Sequence, residues 1–271
     1  MERIRSTFDR LRRSRRAALI PFIVGGDPGP SMTGPMLLAL QEAGADLIEV
    51  GIPFSDPLAD GPVIQRASAR ALAAGATPAG ILSAVASVRH RLHVPVVYLS
   101  YWNPVVQFDR NGSRGSPEAF VRAARVSGAS GIIVPDLPVE EGAALRAATR
   151  REGIAAIVLA APTSPADRLR MIARASQGFI YYVSVTGTTG ARRALPPSLV
   201  HGVRQLKLLT TKPVCVGFGI STPAQAATVA RIADGVIVGS ALVQAIEGAQ
   251  HRADAPRRAA AFLKRLRRAI S

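Results

Sequence analysis

The stretch DLIEVGIPFSDPLADGP, residues 46–62, opens with Asp46 and then carries three more carboxylates close together: Glu49, Asp56 and Asp60. Glu49 stands inside an apolar run, between Ile48 and Val50. An acid in a buried-strand pattern is costly unless it is paired or used. Desolvation raises the pKa of such a group, so that it holds and passes protons near neutrality. Its alternatives are a buried arginine partner or a backbone amide cap. Asp60 and Asp56 follow in a loop stiffened by Pro53, Pro57, Gly61 and Pro62. Asp60 suits acid–base work or a turn. Asp56 suits a loop tip, a partner contact or a turn.

A second signal is phosphate binding. Gly217-Phe218-Gly219 and Gly239-Ser240 each close an apolar run and open a helical one. Bare backbone N–H groups at a helix N-terminus take phosphate there, and Ser240 adds a hydroxyl. The other chemical groups are poorly placed. Lys207 and Lys264 read as helical and Lys212 precedes a strand, which disfavours a Schiff base. His90, His93, His201 and His251 fall on helices, ahead of a strand or in the tail, so no metal site is expected. Cys215 reads as a core residue; a single cysteine excludes a disulfide framework and suits a reducing cytoplasm.

The elements that must position these groups alternate. Apolar strands are expected at 17–24, 46–51, 94–99, 131–134, 154–160, 179–184, 214–217 and 235–238. Helices are expected at 32–43, 67–74, 78–91, 117–126, 140–152, 165–175, 197–209, 223–232, 241–247 and 255–270. Residues 101–104 read as a loop. Strands apolar throughout belong to parallel sheets covered on both faces, and eight such units in 271 residues make a (β/α)8 TIM barrel. An open doubly wound sheet is the weaker option, because Gly25-Gly26-Asp27 lacks the dinucleotide fingerprint. No linker interrupts residues 1–271, so one domain is expected. A basic helix at 1–16 and a basic helix or tail at 249–271 flank it. The start is Arg-rich like a transit peptide, but Phe8, Leu11, Glu2 and Asp9 read better as an amphipathic helix. No apolar run is long enough to span a membrane. The net charge is +16, and with three lysines the 34 basic residues are almost all arginine. They are scattered over helices and clustered at the two ends, with few aromatics, which reads as solvated helix faces. No nucleic-acid-binding signature appears.

Nearly the whole chain resembles the tryptophan synthase α subunit family. The resemblance rests on PFIVGGDP (21–28), LIEVGIPFSDPLADGPVIQ (47–65), YWNPV (101–105), PDLPVEE (135–141), TGTTG (186–190), VGFGIS (216–221) and VGSALV (238–243). It implies retro-aldol cleavage of indole-3-glycerol phosphate to indole and glyceraldehyde 3-phosphate. Glu49 matches the family's general acid–base, and Asp60 the carboxylate that binds the indole N–H. Gly190, Gly219, Gly239 and Ser240 match the phosphate pocket. Phe22, Leu99, Ile133, Tyr181 and Ile237 match positions around the indole and glycerol, and Thr189 matches a loop threonine that seals the site. The resemblance also implies an α2β2 heterotetramer with a pyridoxal-phosphate β subunit, with Pro53 and Asp56 at that interface and no cofactor in this chain. Departures are Val185, where some members carry arginine, then Ser100, Trp102 and the basic ends. The competing readings are another phosphate-binding barrel, of phosphosugar isomerase or epimerase type, and a basic nucleic-acid-binding barrel.

Overall fold

The apolar runs form eight strands: Ala18–Val24 (β1), Ile48–Gly51 (β2), Val96–Leu99 (β3), Gly131–Ile133 (β4), Ala155–Ala160 (β5), Ile180–Val183 (β6), Val214–Gly217 (β7) and Gly235–Val238 (β8). In the computed structural model, which describes residues 1–108, 116–183, 197–217 and 219–270, they close in chain order into a parallel barrel. Twelve α-helices are described: Glu2–Arg13 (α1), Thr33–Glu42 (α2), Pro62–Ala73 (α3), Pro78–Val88 (α4), Trp102–Val106 (α5), Pro117–Ser127 (α6), Ala143–Arg151 (α7), Ala166–Ala175 (α8), Pro197–Leu209 (α9), Pro223–Ala230 (α10), Ser240–Glu247 (α11) and Ala255–Ala269 (α12).

Many element ends shift by one to three residues from the sequence reading, and two differences are larger. Helix α3 starts at Pro62 rather than at residue 67. Proline's fixed φ suits the first helical position, and Gly61 supplies the extended cap. Residues 102–106, read as the start of a loop, form α5. The Trp102 N–H, an orphan donor at that helix start, is accepted by Asp136 at 2.8 Å.

The two basic ends become packed helices. Helix α12 buries Ala255, Ala259, Leu263 and Leu266 along one stripe and turns Arg257, Arg258, Arg265 and Arg268 outward. Helix α1 buries Ile4, Phe8 and Leu11, with the Phe8 ring 5.9 Å from that of Phe179. Both helices then meet one buried carboxylate ahead of β2. Asp46 accepts from Arg267 at 2.7 Å, Arg10 at 3.4 Å and the Leu19 N–H at 3.0 Å. Arg10 and Arg267 are therefore structural ties rather than solvated decoration. No single described helix is long and apolar enough to cross a membrane.

Candidate active site

Side chains alternate along a strand, so register decides which residues share the barrel interior. Phe22 pairs with Glu49, Glu49 with Val97, and Gly51 with Leu99. The same rows run from Leu99 to Ile133, from Leu159 to Tyr181 and from Ile20 to Ile237. Phe22, Glu49, Leu99, Ile133, Tyr181 and Ile237 thus fall on the inward face. Their neighbours Tyr98 and Tyr182 point out, toward Ser127 of α6 and Gly202 of α9. Gly51 and Gly217 leave the room: an added Cβ would stand 2.7 Å from the Phe22 ring at the first and 2.5 Å from the Tyr181 hydroxyl at the second.

Glu49 is fully buried, and among the described residues neither carboxylate oxygen has a hydrogen-bond partner. Burial, with the Asp60 charge second, pushes its pKa up to about 8. Among the described residues neither the arginine partner nor the amide cap is found. The carboxyl is kept neutral at pH 7 by desolvation, the state from which it can give a proton. Burial also raises Asp60 to about 6, opposed by a hydrogen bond from Tyr101, so Asp60 is mostly ionised at neutrality. The Glu49 and Asp60 charges both act on the Tyr181 phenol, which burial holds protonated well above its usual range. Two carboxyls of opposite protonation state thus face one interior.

Tyr101 is the residue that the sequence reading missed. Its hydroxyl accepts the Ala59 N–H at 2.9 Å and bonds the Asp60 carboxylate, while its ring packs 5.4 Å from Phe54. It therefore fastens the loop after β2 to the end of β3. The only signal was a phenol at a strand end.

Two further acids at strand ends are structural. Asp27 is paired to Arg70, and Asp136 caps α5. Gly219 takes a left-handed φ of 76°, which favours glycine. Gly239 precedes α11 with Ser240 exposed as its first residue, and the Phe22 ring lies 3.5 Å from where a Cβ on Gly239 would stand. Thr189 and Gly190, with Val185 and Phe218, lie outside the described residues. Pro53 is buried within its own chain, whereas Asp56 is exposed and accepts from the Ser55 hydroxyl at 2.5 Å. Leu58 beside it is 93% exposed. Between this loop and Gln65, Ala69 and Leu72 of α3 runs a groove of about 460 Å3. Cys215 is a buried core residue. Among the described residues no three His, Cys, Asp or Glu side chains cluster as a metal site would require.

A closed (β/α)8 barrel with two proton-active carboxyls at the C-terminal ends of its strands defines an acid–base barrel enzyme. The comparisons narrow the class. The family model described as tryptophan synthase alpha chain matches residues 8–271. The tryptophan synthase alpha chain of Gloeobacter violaceus is 51% identical over 243 residues, covering 89% of this chain and 86% of that one. That of Geobacter sulfurreducens is 46% identical over 270 residues, covering 100% and 99%. Among solved structures, tryptophan synthase subunit alpha from Legionella pneumophila superposes with a TM-score of 0.89 at 38% identity, over 99% of this chain and 98% of that one. A chain of Mycobacterium tuberculosis tryptophan synthase gives 0.88 at 37% identity, over 98% and 97%. This chain belongs to the tryptophan synthase alpha chain family and is a lyase of tryptophan biosynthesis. Neither an isomerase nor a nucleic-acid-binding barrel is favoured by these relatives.

Proposed function

We propose that Glu49 and Asp60 carry the retro-aldol cleavage of indole-3-glycerol phosphate. Glu49, neutral at pH 7, gives its proton to indole C3. The ring becomes an indoleninium, whose positive charge the Asp60 carboxylate stabilises through the N1–H. Glu49, now the carboxylate, takes the proton of the 3′-hydroxyl. The C3–C3′ bond breaks, its electron pair returns to the ring, and indole and glyceraldehyde 3-phosphate leave. Glu49 ends protonated as it began, now with the proton of the 3′-hydroxyl, while its original proton leaves on indole C3. Charge stabilisation of this kind is strongest in a dry site. Phe22, Leu99, Ile133, Tyr181 and Ile237 line the indole and glycerol ends. Gly190, Gly219, Gly239 and Ser240 receive the phosphate on backbone N–H groups and one hydroxyl, and Thr189 closes over Asp60.

The observation that carries the reading is Glu49 itself, fully buried, without a hydrogen-bond partner among the described residues and with its pKa near 8. The 271 residues act as one domain in the cytoplasm. The loop with Pro53, Asp56 and the exposed Leu58, above its groove, docks a β subunit in an α2β2 assembly. Pyridoxal phosphate belongs to that partner, and this chain needs no cofactor of its own. The test is indole release from indole-3-glycerol phosphate, with and without a β subunit, by the native chain and by Glu49→Gln. The native chain should release indole and the variant should lose at least about a hundredfold in kcat, the scale of a lost general acid–base. Near-native turnover by the variant would sink the mechanism.

A further inference from the structure

We propose that Arg70, braced by Glu247, is a positioning residue for Asp60: it fixes the axis of α3 so that the carboxylate at that helix's start meets the substrate. The proposal rests on the role given to Asp60 above. Arg70 spends its guanidinium on two carboxylates at once. Nε and Nη2 donate to the two oxygens of Asp27 at 2.9 and 3.0 Å, and Nη1 donates to Glu247 at 2.7 Å. One turn earlier, Arg66 donates to both oxygens of Glu247, each at 3.3 Å. The Asp27 side chain is only 3% exposed, so its charge is held in place by the fork.

The three anchored elements are those that frame the pocket. Asp27 lies in the loop after β1, the strand that carries Phe22. Glu247 ends α11, the helix that opens at Gly239-Ser240. Arg66 and Arg70 sit on α3, whose first turn holds the Asp60 backbone. Gln65 donates its side-chain amide to the Asp60 carbonyl at 2.9 Å and its N–H to the Gly61 carbonyl at 3.0 Å. A helix rises about 1.5 Å per residue, so the first turn of α3 stands about 12 Å from Arg70. A tilt of about 5° about that grip moves the Asp60 end by about 1 Å, a displacement that can cost about a hundredfold in rate. Tyr101 holds Asp60 from the β3 side, and Arg70 sets the helix from which the loop departs.

The experiment measures kcat and KM for indole release in Arg70→Lys and Glu247→Gln, each in the native background and with Asp60→Glu. Arg70→Lys keeps a charge opposite Asp27 but cannot fork. Glu247→Gln leaves the Arg70–Asp27 pair intact and changes a side chain one-third exposed, so it folds even if the lysine variant does not. In the native background Arg70→Lys should lower kcat about 10- to 100-fold and Glu247→Gln by less, with KM within about twofold. With Asp60→Glu the carboxylate is already out of place, and either change should cost no more than about twofold. The Asp60 amide, bonded to the Pro57 carbonyl at 3.0 Å, should exchange hydrogen faster in both variants. Arg151→Ala, which breaks a surface pair with Glu118, should leave rate and exchange unchanged. Equal kcat losses in both backgrounds overturn the proposal, as does a lowered Tm with kcat and exchange retained. A native chain that releases no indole, or an Asp60→Asn variant with full kcat, overturns instead the reading of Asp60 and is seen before any Arg70 variant is made.

Discussion

Glu49→Gln should make the protein more stable, and increasingly so as pH rises. The folded state pushes the Glu49 pKa from its usual 4.5 up to about 8, chiefly through burial. Below pH 4.5 the carboxyl is protonated in both folded and unfolded chains, and burial costs it no charge. Between 4.5 and about 8 the unfolded chain ionises while the fold holds the proton, so stability falls as pH rises and levels off above the folded value. Each pH unit in that window is about 1.4 kcal/mol. Between pH 5 and pH 8 native Glu49 therefore loses roughly 3 to 4 kcal/mol relative to a neutral isostere. Glutamine does not titrate, and its own unmet amide adds only a constant. Urea unfolding of both proteins at the two pH values measures the effect. The stability difference should move toward the variant by that amount from pH 5 to pH 8. Two stability curves that stay parallel would refute the desolvated-carboxyl argument, whatever their offset.

Other perturbations read other links. Tyr101→Phe removes the hydrogen bond that holds the Asp60 pKa down, so the acidic limb of kcat/KM should move above about pH 6 in a pH–rate profile, with the rate lowered. Leu58→Asp changes a side chain that packs on almost nothing. Thermal stability should shift by no more than about 0.5 kcal/mol, while affinity for a β subunit, followed by titration calorimetry, should fall at least about tenfold. Arg267→Ala leaves the buried Asp46 with the Leu19 N–H and the longer Arg10 contact as its partners, and should cost about 3 kcal/mol in denaturant unfolding without touching KM.

The barrel was legible because its strands are apolar throughout and only a few residues long, and it is that length rather than periodicity that tells such runs from buried helix. Glu49 was legible for the same reason: one acid in an apolar strand is conspicuous. Register also follows from the alternation, and it is register that brings Phe22, Leu99, Ile133, Tyr181 and Ile237 to one face. Tyr101 and Arg70 were hidden, because their meaning lies in partners distant in the chain. Tyr101 acts on a loop 42 residues away, and Arg70 bridges Asp27 and Glu247, 43 and 177 residues away. Nothing local marks such side chains as different from surface ones. The same limit hid the meeting of the Arg-rich ends at Asp46. Composition presented them as solvated faces, and only the folded chain sets Arg10 and Arg267 on one buried carboxylate.

Catalysis needs one proton held by Glu49 and one charge held by Asp60. The pH dependence of kcat/KM for indole release by the native chain, which reports the free enzyme's groups, tests both at once. It should be bell-shaped, rising as Asp60 ionises near pH 6 and falling as Glu49 loses its proton near pH 8, with the alkaline limb absent from whatever activity Glu49→Gln retains. A profile flat from pH 5 to pH 9, or an alkaline limb that survives in Glu49→Gln, would contradict the assignment of the proton to Glu49.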